Sequence, residues 1–215
     1  AGTLVAGVVP HAGYVFSGKC AASLYALIRT GQYERVIILA PSHHGYFEGV
    51  ALPGEELTHY ATPLGNVPID RKACEALART QGFARRSGPD AREHAIEVQL
   101  PFLQKTAGGF RLVPLLCGQM TESQVASLAG ALVPYLGDTT LVLASSDFTH
   151  FGPNYGFEPF RKDVPQQLRA WLQQASGSIA ALDLAGFRRH CRETHDTICG
   201  AMPIQLLLSA LTQST

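Results

Sequence analysis

The hydrophobic positions along the chain form four short, almost continuous apolar runs. They cover residues 4–9, 36–40, 112–116 and 141–144, and each is rich in Val, Leu or Ile. Runs of this length without polar alternation are typical of parallel strands that are covered on both faces. The pattern therefore predicts four buried strands in one central sheet.

The segments between and after these runs carry apolar residues at helical spacing. They predict helices over residues 18–29, 70–80, 93–105, 121–135, 164–174, 184–194 and 202–213. Pro101 predicts a kink, and Thr121 with Gln124 matches a capping box. Residues 152–162, with two prolines and three aromatic residues, are expected to form a long surface loop. The alternation favours an α/β fold: a single three-layer domain with a mostly parallel central sheet flanked by helices.

Composition and charge narrow the classes of partner. The 17 Lys and Arg side chains balance the 17 Asp and Glu side chains, and no run of Lys or Arg is present. The electrostatic footprint of a nucleic-acid-binding protein is therefore missing, and a small or modestly charged ligand is expected. No apolar run reaches the roughly 20 residues that a membrane helix needs. Five scattered cysteines without a CxxC pair indicate a reducing compartment, so we expect a cytoplasmic location.

Three of the apolar runs end in polar residues that include histidine. The stretch "VAGVVPHAGY" runs into His11, "VIILAPSHHG" runs into His43 and His44, and "LVLASSDFTH" runs through Asp147 to His150. Ligands of open parallel sheets bind beyond the carboxyl ends of the strands. If these three strands are neighbours, their polar ends converge on one edge and form a site. The alternative is that each histidine is a loop residue bonded to backbone.

Imidazole and thiolate are the metal ligands that the chain offers near these strand ends. Cys199 in "HDTICGAMP" precedes a predicted helix whose dipole favours the thiolate, although such a cysteine can also serve packing alone. Two histidines and one anionic ligand leave coordination positions open for catalysis. In "EHAIEVQLP", the helix dipole explains Glu93 and Glu97, and His94 is a candidate for contact with the substrate or with a ligand. The spacing does not match HExxH, which argues against a zincin.

Six motifs in the same order resemble those of the Memo family, whose prokaryotic members are called AmmeMemoRadiSam system protein B. They are "PHAGYVFSGKCAA", "PSHH", "TPLGNVPID", "EHAIEVQLPFL", "SSDFTH" and "TICGAMPI", and the resemblance covers residues 8–211. It implies a LigB-like fold, related to class III extradiol dioxygenases that hold non-haem Fe(II) with two histidines and a glutamate. It also implies that residues 1–215 are a single Memo-like domain from which terminal segments, including a last strand, are missing.

Carried over motif by motif, the resemblance implies His11, His43 and Cys199 as metal ligands. It implies His150 as the acid/base residue, with Asp147 fixing its ring.

We assign His44, His94 and Tyr14 to the substrate side of the site. Adjacent side chains tend to point apart, so His43 and His44 have different roles. Spacing alone leaves open which of the two faces the metal.

The motifs and the resemblance together predict a metal-dependent redox or dioxygenase-like enzyme that acts on a small substrate. Fe(II) is the expected cofactor, copper is the alternative because a thiolate softens the site, and zinc stays open. A second hypothesis is a non-catalytic adaptor that binds a phosphorylated peptide or another anion in the same cleft. A third is a metal-free hydrolase with Cys199 or a strand-end serine as nucleophile, although the GxSxG elbow is absent. The family name implies an AMMECR-type protein and a radical SAM enzyme as partners.

Overall fold

The structure, a computed structural model, describes residues 2–86 and 92–214. Ala1, residues 87–91 and Thr215 lie outside the described part. The strands are β1 (Ala6–Val9), β2 (Arg35–Pro41), β3 (Val50–Leu52), β4 (His59–Thr62), β5 (Gly65–Pro68), β6 (Phe83–Arg85), β7 (Arg111–Cys117) and β8 (Thr140–Ser145). The helices are α1 (Tyr14–Tyr25), α2 (Arg71–Leu77), α3 (His94–Glu97), α4 (Leu100–Thr106), α5 (Glu122–Leu132), α6 (Val164–Ala180), α7 (Leu184–Thr194) and α8 (Ala201–Gln213).

Six of these strands form one sheet in the order β1-β8-β2-β7-β3-β6. All neighbouring pairs in this sheet are parallel except β3 with β7, and β4 pairs with β5 in a separate antiparallel hairpin. The predicted α/β class with a mostly parallel central sheet is therefore confirmed. The three strands that end in histidine-containing segments, β1, β8 and β2, are direct neighbours, which is the condition for a common site.

The two faces of the sheet bury alternate residues of each central strand. In β2, Ile37 and Leu39 pack with residues of α5, α7 and α8, whereas Val36 and Ile38 pack with residues of α1 and α4. All four side chains are fully buried. Because successive side chains of a strand point to opposite faces, a strand covered on both sides must be apolar at every position. Helices on both faces give the predicted three layers.

Several element boundaries differ from the sequence prediction. The helix expected over 93–105 is two helices, since α3 ends at Glu97 and α4 begins at Leu100. Pro101 lies in the first turn of α4, where its missing N–H removes no hydrogen bond of that helix, so the chain is interrupted just before the predicted kink instead of bent at it. The first helix spans Tyr14–Tyr25 instead of 18–29, and α6 continues to Ala180. Strands β3 and β6 and the β4–β5 hairpin were not predicted, because each has only three or four residues.

Other local predictions are confirmed. Thr121 accepts a hydrogen bond from the backbone N–H of Gln124 at 3.2 Å, and the Gln124 side chain accepts one from the backbone N–H of Thr121 at 2.7 Å. The segment 152–162 is a loop apart from one 3-10 turn at Pro153–Tyr155. In the described part of the chain, every helix is too short or too polar to cross a membrane.

Candidate metal centre

The candidate site lies at the carboxyl edge of the sheet, beyond β1, β8 and β2. His11, Asp147 and His43 each lie two residues beyond the last residue of their strand. Cys199 reaches the same place from the segment that precedes α8, and its Sγ lies 3.1 Å from Nε2 of His11. The rings of His11 and His43 have their centroids 5.2 Å apart. The structure thus brings together His11, His43 and Cys199, the three residues that the motifs single out as ligands.

The position of the proton on His11 follows from its neighbours. The Ser145 hydroxyl donates its one hydrogen to the Ala95 carbonyl at 2.7 Å. Its lone pairs must therefore accept from Nδ1 of His11 at 2.9 Å and from Nε2 of Gln99 at 3.0 Å. Gln99 is held in turn by the Tyr25 hydroxyl, which donates to Oε1 at 2.7 Å. His11 consequently carries a hydrogen on Nδ1, and the nitrogen that faces the cysteine is Nε2.

Glu93 fixes the orientation of the His43 ring, as Ser145 does for His11. The Glu93 side chain is 1% exposed and accepts from Nδ1 of His43 at 2.9 Å, from the backbone N–H of His43 at 2.7 Å and from that of Ala95 at 3.0 Å. Burial opposes ionisation, but these hydrogen bonds prevail and lower the pKa of Glu93 to about 2. The helix dipole alone, from which Glu93 was explained, does not predict this contact with His43. The two residues are 50 positions apart, and no local spacing signals their pairing.

In the absence of a metal ion, Cys199 and His43 shift each other's pKa. Hydrogen bonds to Cys199 and then to Glu93 raise the pKa of His43 to about 10. Burial would raise the pKa of Cys199, but hydrogen bonds from His11 and His43 outweigh it and lower that pKa to about 6. The arrangement therefore favours a thiolate beside an imidazolium at neutral pH. A metal ion that binds both residues would displace the shared proton.

Cys199 is held by the end of β8. Its Sγ accepts a hydrogen bond from the backbone N–H of Asp147 at 3.3 Å, and the backbone N–H of Gly200 donates to Oγ of Ser146 at 3.0 Å. A Cβ added at Gly200 would lie 2.6 Å from the carbonyl oxygen of Ser145. This close approach requires glycine and fixes the distance between the thiol and the strand end.

The expected pairing of Asp147 with His150 is wrong. Oδ1 of Asp147 accepts from the backbone N–H groups of His11 at 3.0 Å and Ala12 at 3.2 Å, and Oδ2 lies 3.9 Å from Nε2 of His11. Thr197 fixes His150 instead: its carbonyl accepts from Nδ1 at 2.9 Å, and its hydroxyl accepts the backbone N–H at 2.7 Å. A backbone carbonyl can only accept, so Nδ1 of His150 carries a hydrogen and Nε2 takes no part in this contact. The Tyr155 ring lies 5.1 Å from the His150 ring.

The three residues assigned to the substrate side lie in different surroundings. His94 stacks on His43 with centroids 5.0 Å apart and lies 5.5 Å from His11. Burial and then the neighbouring His43 lower its pKa, which favours a neutral ring that can accept a hydrogen bond or bind a metal. His44 lines an open cleft of about 320 Å³ that also contains His43 and Tyr46. Tyr14 is half-exposed at the start of α1, and its hydroxyl donates to the Val98 carbonyl at 3.0 Å.

The donor atoms fit one metal ion. In the described residues, two groups have ligand atoms within 4.8 Å of one another: His11 with His43 and His94, and His11 with Asp147 and Cys199. Nδ1 of His11 is occupied by Ser145, so both groups depend on the same Nε2 atom and could hold an ion at one place, although neither group contains His43 together with Cys199. Imidazole, thiolate and one carboxylate suit zinc, copper or iron better than a hard cation such as Mg²⁺.

Comparison with protein families and curated proteins gives a consistent match. A family model described as "Memo-like protein" matches residues 3–215. The Protein memo-1 homolog of Caenorhabditis elegans is 35% identical over 217 residues, which cover 97% of this chain and 61% of that protein. A MEMO1 family protein of Pyrococcus horikoshii is 36% identical, covering 92% of this chain and 72% of that protein. Protein MEMO1 of Homo sapiens is 33% identical, covering 96% and 72%. The chain thus spans about three fifths of the nematode protein.

One solved structure has a similar fold. It is the crystal structure of an uncharacterized protein from Escherichia coli K12, with a TM-score of 0.51 and 14% sequence identity. The match covers 87% of this chain and 79% of that one. At this identity the likeness concerns the fold alone.

Proposed function

The chain belongs to the Memo family of Memo-like proteins, and from this premise we propose that its histidine–cysteine cleft is a metal centre for redox chemistry on a small substrate. The ion would be held by His11, His43 and Cys199, with His94 and Asp147 beside them. Iron or copper suits this donor set, because imidazole accommodates both metals and a thiolate favours a soft ion.

One observation carries the proposal: both imidazoles are anchored through Nδ1 by an oxygen and lie side by side next to the Cys199 thiol. Ser145 anchors His11, Glu93 anchors His43, the two ring centroids are 5.2 Å apart, and Nε2 of His11 lies 3.1 Å from Sγ of Cys199. Metal-binding histidines almost always donate their other N–H to an oxygen in this way, which fixes the tautomer and the ring orientation. Histidines that only tie a loop to backbone would have no reason to be oriented in this way beside a thiol.

Residues around the proposed metal ligands would supply the other functions of an active site. A bound ion would supply Lewis-acid and electron-transfer chemistry at the cleft. His150 would give or take a proton at Nε2, because Thr197 already holds its Nδ1. On the open side, His44 and His94 would orient polar groups of the substrate. The negative charge of Asp147 lies near His11 and would favour a cation in the cleft.

Metal analysis of anaerobically purified protein tests the proposal. We expect Fe(II) or Cu(I) to bind with a stoichiometry of one, and Co(II), used as a spectroscopic probe, to give a thiolate-to-metal charge-transfer band. His11→Ala should abolish binding, and Cys199→Ser should remove the band. His59→Ala is the matched control, because His59 is an exposed residue of β4 that bonds only to Thr58 in the contacts described.

The result also separates the alternatives. If no metal binds at stoichiometry, or if His11→Ala binds metal like the unchanged protein, the metal centre is disproved. Absence of metal binding together with cleft-dependent binding of a phosphorylated peptide would favour the adaptor function instead. Stoichiometric zinc binding without iron or copper binding would retain the centre but argue against redox chemistry.

A further inference from the structure

A buried, hydrogen-bonded pair of a histidine and a carboxylate lies outside the cleft, between α7 and the segment that leads to Cys199. Nε2 of His190 lies 3.0 Å from Oδ2 of Asp196, and the two side chains are 0% and 1% exposed. The Trp171 ring covers His190 edge-on, with centroids 5.9 Å apart. Nδ1 of His190 and Oδ1 of Asp196 are buried and have no hydrogen-bond partner among the described residues.

Stability does not account for this pair. Removing a carboxylate and an imidazole from water is costly, and the cost is offset only when their remaining donors and acceptors are also satisfied. Here one atom of each partner is left unsatisfied, which adds a further penalty. Such a pair contributes less to the free energy of unfolding than apolar side chains of similar size would. The pair is better explained by the position in which it holds the neighbouring segment of the chain.

The geometry it imposes concerns the segment 197–200. Asp196 directly precedes Thr197, which binds both the backbone N–H and Nδ1 of His150. Three residues after Asp196, the Cys199 thiol meets His11 and the backbone N–H of Asp147. Upstream, α7 ends in a left-handed turn at His195, with φ at 52°. Together with the hydrogen bond from the backbone N–H of Asp196 to Oγ1 of Thr194, the His190–Asp196 contact thus joins α7 to the segment 197–200.

We propose that the His190–Asp196 pair is a positioning pair that sets the place of Cys199 and, through Thr197, the orientation of His150. The inference rests on the proposed function only in that it takes these two residues as members of the site. Without the pair, the turn after α7 keeps the hydrogen bond from the backbone N–H of Asp196 to Oγ1 of Thr194, at 3.2 Å, but loses its buried contact with His190, and we expect Cys199 and Thr197 to move together.

Thiol alkylation of metal-free protein tests this directly, with exposed Cys20 as an internal reference. In Asp196→Ala, the rate of Cys199 alkylation relative to Cys20 should fall about tenfold at pH 7, because the thiol loses the contacts that favour the thiolate. In Asp196→Asn, the amide oxygen still accepts from Nε2 of His190, so the ratio should stay near that of the unchanged protein. Affinity for Co(II) should also fall, by about tenfold, in Asp196→Ala, because the thiol is no longer held in place beside the imidazoles.

Two further variants separate position from stability. Asp183 caps the other end of α7 by accepting from the backbone N–H of Gly186 at 2.8 Å. Asp183→Ala should therefore lower the melting temperature and leave the alkylation ratio unchanged. The double change His190→Phe with Asp196→Leu should fold at least as stably as the unchanged protein and still show the reduced ratio.

Clear outcomes would overturn the proposal. One is a folded Asp196→Ala protein, or a folded double variant, with the alkylation ratio of the unchanged protein. Another is failure of both variants to fold, which would mean that the pair maintains the fold instead of the cleft geometry. Because alkylation is measured without metal, the absence of a metal centre would leave this test intact.

Discussion

At the scale of single residues, hydrogen bonds divide the histidine doublet that follows β2. His43 is held by Glu93 and faces His11, whereas His44 belongs to neither group of donor atoms in the described residues. The motif resemblance predicted His43 over His44, but the sequence contained no physical signal for that choice. The partners that orient the rings could not be predicted either, because Ser145 lies 134 positions from His11 and Glu93 lies 50 from His43.

A first prediction concerns Glu93. Glu93→Gln keeps the size of the side chain but removes the charge that fixes His43, so metal affinity should fall about 10- to 100-fold. Isothermal titration of metal-free protein measures the change. Glu97→Gln is the control, since Glu97 is exposed on the same short helix and should leave the affinity unaltered. Equal affinities for the two variants would contradict the orienting role of Glu93.

A second prediction concerns the ionisation of Cys199. Its pKa of about 6 means that metal-free protein loses the thiolate as the pH falls through 6. The alkylation rate of Cys199, followed by mass spectrometry from pH 5 to pH 9, should therefore be half-maximal near pH 6. The thiolate's contribution to folding is complete above the ordinary thiol pKa and is lost as the pH falls through 6. A half-maximal rate near pH 9 would show that His11 and His43 do not stabilise the thiolate.

At the scale of elements, the strands that are covered by helices on both faces could be predicted from the sequence. The central strands β2, β7 and β8 are apolar at nearly every position because both faces are covered, and that pattern is visible in the sequence. The break between α3 and α4 was missed, since Ile96, Leu100 and Leu103 continue an apolar helical pattern across it. At this break Gln99 turns its side chain to Tyr25 and Ser145, contacts that no local pattern reveals.

A third prediction concerns the start of α8. In Gly200→Ala, the new methyl group would meet the Ser145 carbonyl and the Ser146 side chain, and α8 must shift away from β8. We expect a loss of about 1–3 kcal/mol in the free energy of unfolding, with loss of metal binding because Cys199 moves. Urea unfolding and metal titration measure both effects.

Gly177 in α6 provides the matched control for this substitution. An added Cβ there has no neighbour within 4 Å, so Gly177→Ala should stabilise the protein by about 0.4–1 kcal/mol. The two substitutions are chemically identical and should change stability in opposite directions. The same sign in both would refute the close approach of Gly200 to β8.

At the scale of the whole molecule, the fold class and the shared sheet edge were predictable, because strand alternation and strand-end polarity are global patterns. The corrected pairing of Asp147 and the partners of His150 were not, because they depend on contacts that only the complete fold creates. A single domain over residues 1–215 stays a prediction. So do a cytoplasmic location and the partnership with an AMMECR-type protein and a radical SAM enzyme.

A fourth prediction follows from the distribution of the donors along the chain. His11, His43 and Cys199 come from β1, β2 and the start of α8, so an ion would cross-link distant parts of the fold. At a free metal concentration 100 times the dissociation constant, binding should add about 2.7 kcal/mol to stability. For a chain of 215 residues this raises the melting temperature by about 5–10 °C. Calorimetry should show the rise with Fe(II), its loss on chelation, and no rise with Mg²⁺ or in Cys199→Ser.

A series of hydrogen bonds runs from Tyr25 through Gln99 and Ser145 to His11. This series affects the order in which folding and metal binding can occur. It joins α1, the break between α3 and α4, and the end of β8 before it reaches the ring of His11. The tautomer of that ring is therefore an outcome of folding, and it is complete only when α1 and α4 have docked on the sheet. An ion that arrives early meets an imidazole whose proton is not yet assigned. Metal uptake by this chain would then report the completion of its tertiary structure, independently of any reaction that follows.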